Sequence, residues 1–183
     1  MTIVFYKPYQ VLSQFTREAA HHQCLADYLD VPKTVYPIGR LDYDSEGLLL
    51  LSDQAGLNAE LLHPEQHISK VYYVQIEGDI TDQAIKQLRE GVSITLPNKK
   101  KYQTQACRVK KITEPKLPER NPPIRVRANI PDSWISIEIK EGKNRQVRKM
   151  CAAVGFPVLR LVRVQMGSYQ LHNLQPGKFR QVD

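Results

Sequence analysis

Residues 39–53 read GRLDYDSEGLLLLSD, an acidic turn that runs straight into an apolar strand. Gly47 to Ser52 is a short continuous hydrophobic run, as expected of a strand buried on both faces. Gly39 and Gly47 bracket Asp42, Asp44 and Glu46, with Arg40 beside them. Glycine at both ends of so short a segment predicts a tight turn with unusual backbone dihedrals. Loops fixed between rigid elements are favoured places for binding and chemistry.

Outward from this segment the chain alternates short strands with a few helices. Val35 to Ile38 leads into Gly39. Upstream, Thr2 to Tyr6 reads as a strand stopped by Lys7-Pro8, Val11 to Phe15 as another, and Leu25 to Leu29 as a short helix ending near Pro32. Downstream, Leu57, Leu61 and Leu62 stand at helical spacing before His63-Pro64. Lys70 to Glu77 alternates cleanly, with Tyr72, Val74 and Ile76 on one face and Val71, Tyr73 and Gln75 on the other. Thr81-Asp82 caps a helix carrying Ile85 and Leu88, closed by Gly91. Cys107 to Ile112, Trp134 to Ile139 and Val158 to Met166 read as strands, and Asn144 to Val154 as a helix. Lys99 to Lys101 reads as a solvated turn. Between Glu114 and Asp132 stand Pro115, Pro118, Pro122, Pro123 and Pro131, which predicts a long irregular connection. Strands do not alternate strictly with helices, so a doubly wound parallel sheet is disfavoured. The expected class is α+β, a mixed but mostly antiparallel central sheet flanked by a few helices.

Composition narrows the partners. The 183 residues, 42% hydrophobic and 25% charged, suffice for one domain with a buried core. Lys and Arg number 26 against 19 acidic residues, a surplus of +7 that favours a polyanionic partner. Cys24, Cys107 and Cys151 are scattered and odd in number, so reduced thiols in a cytoplasmic protein are expected rather than a disulfide scaffold or a zinc site. No secretory signal is visible, and Leu48 to Leu51 is far too short to span a membrane.

The acidic turn admits three readings. Asp42, Asp44 and Glu46-Gly47 resemble the opening of a calcium-binding loop, but Asp53 stands at the twelfth position and VYPIGRL is a poor entering helix. A carboxylate such as Asp42 can instead attack an anomeric carbon or stabilise an oxocarbenium-like state. The third reading is a charged turn without chemistry. The second basic feature is EGKNRQVRKM, residues 141–150, where Arg145, Arg148 and Lys149 are expected on one helix face, with Lys143 nearby and Val147, Met150, Cys151 and Val154 toward the core. Four crowded cations call for an anion, and arginine suits phosphate. Arg160 and Arg163 follow in LRLVRV.

Four segments in this order, FYKPYQVLSQF, GRLDYDSEGLLLLSD, SKVYYVQIEG and EGKNRQVRKMCAAVGFPVLRLVRVQMG, resemble the pseudouridine synthases of the ribosomal small-subunit synthase A family. The resemblance covers nearly the whole chain. It implies the pseudouridine synthase fold, with two lobes (approximately 1–62 and 63–183) around an RNA-binding cleft, in a single catalytic domain spanning 1–183. An N-terminal S4-like domain, frequent in the family, is not expected, since the resemblance starts at the catalytic domain. The segment RNPPIR followed by Trp134 resembles most the branch acting on large-subunit ribosomal RNA. The resemblance implies that Asp42 is the catalytic aspartate, Tyr72 the tyrosine stacking on the base, and Arg148 the basic residue paired with the aspartate. It further implies that Arg40 helps hold the flipped nucleotide or the space it vacates and that Leu161 walls the uracil pocket. Lys143, Arg145, Lys149 and Arg163 are expected to meet RNA. The implied reaction, uridine to pseudouridine in 23S rRNA, is an isomerisation, so no cofactor and no metal are expected; a monomer is the default.

Overall fold

The computed structural model describes residues 1–182; Asp183, the last residue of the expected domain, lies outside them. In chain order the strands are β1 (Thr2–Lys7), β2 (Val11–Leu12), β3 (Gln23–Cys24), β4 (Tyr36–Ile38) and β5 (Glu46–Ser52), followed by helix α1 (Leu57–Leu62). Then come β6 (Lys70–Glu77), α2 (Asp82–Glu90), β7 (Ser93–Thr95), β8 (Lys101–Gln103), β9 (Arg108–Ile112) and β10 (Asp132–Ile139). Helix α3 (Gln146–Ala153), β11 (Val158–Met166), β12 (Tyr169–Gln170) and β13 (Phe179–Gln181) complete the described residues.

The main sheet runs β13-β1-β5-β11-β6-β10-β9, with β12 beside β11 and β4 beside β5. Its pairings are antiparallel except β11 with β5, so the architecture is the expected mixed α+β sheet. The apolar run of β5 is explained by two cores, one on each face. Leu49 and Leu51 join Ile3 and Phe5 of β1 in the larger cluster, whereas Leu48 and Leu50 join Val4 and Tyr6 in the smaller. Each such leucine contributes about 1.5–3 kcal/mol on burial. Strand β6 keeps the expected alternation, with Tyr72, Val74 and Ile76 in the larger core.

Helix α2 begins and ends where its caps predict: the Thr81 side chain accepts from Ala84 N at 3.2 Å, and Gly91 follows at φ +96°. Other expectations shift. The strand proposed for Val11 to Phe15 stops at Leu12, because Ser13 turns inward to bond Leu41. Lys99 and Lys100 lie in the turn of an unforeseen β7–β8 hairpin, and Lys101 begins β8 opposite Thr95. The Pro-rich stretch carries no helix or strand, as expected, yet it is anchored: Pro118 O accepts from Arg160 at 2.7 Å, and Arg120 lies 4.0 Å over the Tyr9 ring.

One topological detail positions the site. Strand β5 changes neighbour along its length, pairing with β11 at Glu46 and Gly47 and with β4 from Leu50 to Ser52. The Gly39–Ser45 loop fills the gap between β4 and β5, beside β11. Gly47 makes the close approach feasible: at φ +104°, a Cβ there would stand 2.3 Å from Arg163 O.

Candidate active site

The loop from Gly39 to Ser45 is held by its backbone. Arg163 Nη2 donates to Gly39 O, Ser13 Oγ to Leu41 O at 2.7 Å, Ser45 N to Asp42 O at 3.0 Å, Gln10 N to Tyr43 O at 2.8 Å, and Arg148 Nη2 to Asp44 O at 2.7 Å. The Asp42 side chain, by contrast, remains 39% exposed. A carboxylate on a rigid backbone with a solvent-facing oxygen is preorganised for a reacting partner.

It faces a cleft of about 470 Å³, within the range of small-ligand sites. Asp42, Tyr72, Ile139, Leu161 and Arg163 are among its lining residues. Register explains why these converge: on the sheet face that carries Tyr72, Ile137 of β10 and Arg163 of β11 stand opposite it, and Leu161 stands opposite Val74. Leu62, His63, His67, Lys70, Tyr102, Lys140, Glu141, Lys143 and Arg145 also line the cleft, with Arg40 at the loop. Among the described residues no His, Cys, Asp and Glu group has the makings of a metal site, so the calcium-loop reading finds no support in geometry.

The basic segment is arranged differently from the expectation. Helix α3 starts at Gln146, and Arg145 precedes it in the left-handed region at φ +51°. Arg145 therefore leaves the helix face it was expected to share with Arg148 and Lys149. Its guanidinium grips Asp44 through two bonds of 2.9 and 2.8 Å and reaches Asp42 Oδ2 at 3.5 Å. The cation ion-paired with Asp42 is thus Arg145. Arg148 lies behind, with Nε 3.6 Å from Asp44 Oδ2 and Nη2 on Asp44 O, and it is not part of the cleft lining. The Arg145 hydrogen bonds hold the Asp44 carboxyl below its ordinary pKa.

The remaining expected residues divide by what their donors already bind. Arg40 is exposed and donates to Gln14 Oε1 at 2.9 Å. Lys143 is exposed on the cleft wall, 4.8 Å over the Tyr102 ring. Lys149 contacts Asn144 Oδ1 at 3.4 Å, outside the cleft lining. Arg163, only 2% exposed, bonds Leu48 O at 2.9 Å as well as Gly39 O, so it acts as a brace under the loop. Lys70, Glu141, Tyr102, His63 and His67 also line the cleft and were not anticipated. Lys70 was within reach of sequence reasoning, since two-residue alternation places it on the face of Tyr72.

Beneath the loop lie charges withdrawn from solvent. Glu46 and Arg160, 3% and 8% exposed, form a bidentate pair of 2.9 and 3.0 Å. Lys7 is fully buried and donates to Pro8 O at 2.8 Å and Val11 O at 2.7 Å. Burial draws its pKa down to about 7, against the opposing pull of Glu46, Asp44 and Asp42.

A rigid acidic loop over a basic, open cleft is the arrangement of an enzyme acting on a polyanion. Residues 1–153 match the family described as RNA pseudouridylate synthase. The chain belongs to this family of RNA pseudouridine synthases, isomerases that act on RNA. It is 47% identical over 180 residues to ribosomal large subunit pseudouridine synthase E of Vibrio parahaemolyticus, covering 98% of this chain and 73% of that one. With the enzyme of the same name from Xanthomonas campestris pv. campestris it shares 44% identity over 182 residues, covering 98% and 94%. Among solved structures, a crystal structure of pseudouridylate synthase superposes with a TM-score of 0.78 at 24% identity, covering all of this chain and 70% of that one, and so shares the fold. Among the described residues no helix is long and apolar enough to cross a membrane.

Proposed function

We propose that this protein converts one uridine of 23S ribosomal RNA to pseudouridine, with Asp42 as the essential carboxylate and the uridine swung out of its stack into the cleft. The large-subunit substrate is carried over from the relatives of known name. The observation that supports the chemistry is the half-exposed Asp42 side chain on an immobilised loop, facing a cleft that also presents Tyr72 and Leu161.

Extruding the base costs a few kcal/mol, recovered from stacking and phosphate contacts. Tyr72 stacks on the uracil and Leu161 closes its apolar side. Arg40, Lys143 and Lys149 meet the flanking backbone, which carries the charge that a surplus of +7 favours. Arg145 steadies Asp42, and Arg148 and Arg163 hold the loop from behind. The N1–C1′ bond then breaks while Asp42 either bonds C1′ or takes a ribose proton. The uracil turns over and rejoins through C5, and loss of the C5 proton completes the isomerisation. Nothing is oxidised or transferred to another molecule. Lobes of roughly 1–62 and 63–183 frame the cleft in a single catalytic unit acting as a monomer in the cytoplasm.

The test is tritium release from C5-labelled uridine in large-subunit rRNA. Wild-type protein releases tritium and Asp42→Ala does not; turnover retained in Asp42→Ala overturns the assignment.

A further inference from the structure

Lys70 stands two residues before Tyr72 on β6, so both side chains leave the same sheet face about 7 Å apart. Both line the cleft. The buried cations are held by the protein itself: Arg163 by two backbone carbonyls, Lys7 by two, Arg160 by Glu46 and Pro118. Lys70 differs. Its ammonium has three donors, and the contact it makes is a long one, 3.5 Å to Glu141 O. No carboxylate among the described residues lies within 4.0 Å of it; the ion pairs of the cleft region belong to Arg145, Arg148 and Arg160. Glu141, whose backbone makes that contact, has its carboxylate committed elsewhere, accepting from Tyr102 Oη, Gln105 N at 2.7 Å and Gln146 Nε2 at 3.3 Å. Partial burial, and secondarily the Arg163 charge, push the Lys70 pKa below the ordinary lysine value. A half-buried cation with vacant donors and no counter-ion favours an anion arriving in front of it.

The proposed reaction generates such an anion beside Tyr72. When the N1–C1′ bond breaks, its electron pair stays with uracil and spreads over N1, O2 and O4. C1′ is left electron-deficient, to be captured by a carboxylate oxygen of Asp42 or relieved by loss of the C2′ proton to it. Resting on the reading of this cleft as a pseudouridine synthase site, we infer that Lys70 is a further catalytic residue whose ammonium hydrogen-bonds a carbonyl oxygen of the departing uracil and stabilises its negative charge. The interaction is stronger in the transition state than with neutral uridine, which is the condition for accelerating the step. As C5 bonds C1′, the Asp42–C1′ bond breaks with its electron pair returning to the carboxylate, or, on the other route, C2′ recovers its proton from Asp42; C5 then gives up its proton, N1 takes one from solvent, and Asp42 and Lys70 are left unchanged.

The experiment compares wild type, Lys70→Met, Lys70→Gln and Lys70→Arg in single-turnover assays on transcribed large-subunit rRNA. Lys70→Gln can still donate to Glu141 O, so it separates charge from anchoring. The loss of one preorganised donor to a developing anion typically lowers the rate about 10²–10³-fold. That loss is expected for Lys70→Met and Lys70→Gln, with partial rescue by Lys70→Arg and filter-binding affinity for the RNA unchanged within about threefold. The decisive arm repeats the assay on the same rRNA transcribed with 5-fluorouridine, following loss of that nucleoside from nuclease digests. Fluorine makes the base a better leaving group, so the need for Lys70 falls and the defect shrinks by tenfold or more. A defect of equal size on both RNAs, a defect confined to RNA affinity, or wild-type rates in Lys70→Gln overturns the inference. Wild-type rates in Lys70→Gln with an inert Asp42→Ala leave the proposed function standing; no pseudouridine from the wild type removes both.

Discussion

Two populations of charge lie within one loop's width of each other, and they are used in opposite ways. Beneath the Gly39–Ser45 loop, Glu46 with Arg160, Lys7 and Arg163 are buried, and backbone carbonyls or an opposite charge fill their hydrogen bonds. In the cleft above it, Asp42 and Arg145 are each 39% exposed, and Lys70 makes one long contact. Charges below the loop fix its shape; those above have bonding capacity left for a substrate. Residue type does not tell the two apart, since arginine and carboxylate occur in both. What separates them is whether the folded chain already satisfies each group.

That contrast predicts which substitutions damage chemistry and which damage folding. The largest effect on rate is expected above the loop. Asp42→Asn should lower turnover roughly 10³-fold or more, as loss of a reacting group does. Stability should stay within about 0.5 kcal/mol, as for a surface substitution. Stopped assays with urea unfolding in parallel check both; a comparable loss of stability would mean that Asp42 belongs with the buried charges. Below the loop the order reverses. Glu46→Gln leaves Arg160 buried without its counter-ion, at a cost of about 3–5 kcal/mol. The double variant Glu46→Leu with Arg160→Met should recover much of that loss, though not the Arg160 bond to Pro118 O. A double variant no more stable than Glu46→Gln would show that the pair does more than neutralise itself.

Lys7 gives a smaller, pH-dependent signature. Its folded pKa of about 7 lies below the lysine value of 10.5, so above pH 7 the folded state holds fewer protons than the unfolded one. Stability therefore carries the full penalty of the buried ammonium below about pH 7 and gains as pH rises from there toward 10.5. The expected slope approaches one proton per molecule. Urea midpoints of wild type and Lys7→Met between pH 6.5 and 8.5 should diverge with that slope; parallel curves would mean that Lys7 stays protonated in the folded state throughout this range.

The same division explains what the sequence disclosed. The apolar run after Gly47 and the two glycines placed Asp42 at a strand-initiating turn, because burial and positive φ each leave a residue-type signature. Alternation located β6, and the Thr81 and Gly91 caps located α2. The partner of Asp42 was assigned by resemblance to Arg148. Helical spacing offered no correction, because it holds only inside a helix and Arg145 sits before α3 at positive φ. Arg163 was read as an RNA contact because nothing in LRLVRV says that backbone carbonyls of Gly39 and Leu48 wait opposite it. The β7–β8 hairpin buries little more than Ile94, and β13 is three residues held by β1, so neither leaves a usable periodicity.

The smallest expected effect tests whether the open donors of the cleft do meet phosphate. Lys143 is exposed on the cleft wall and carries a ring contact to Tyr102 but no ion pair among the described residues. If its ammonium neutralises one phosphate of a single-stranded segment, Lys143→Ala should reduce the slope of log affinity against log salt by about 0.7. Affinity should then fall most at low salt and little at high salt, because the lost term is counterion release rather than shape. Lys149, tied to Asn144 and outside the cleft lining, should show a slope change no larger than this. An unchanged slope for Lys143→Ala would mean that its ammonium meets no phosphate, and the measurement to repeat would be the salt slope of Lys70→Gln.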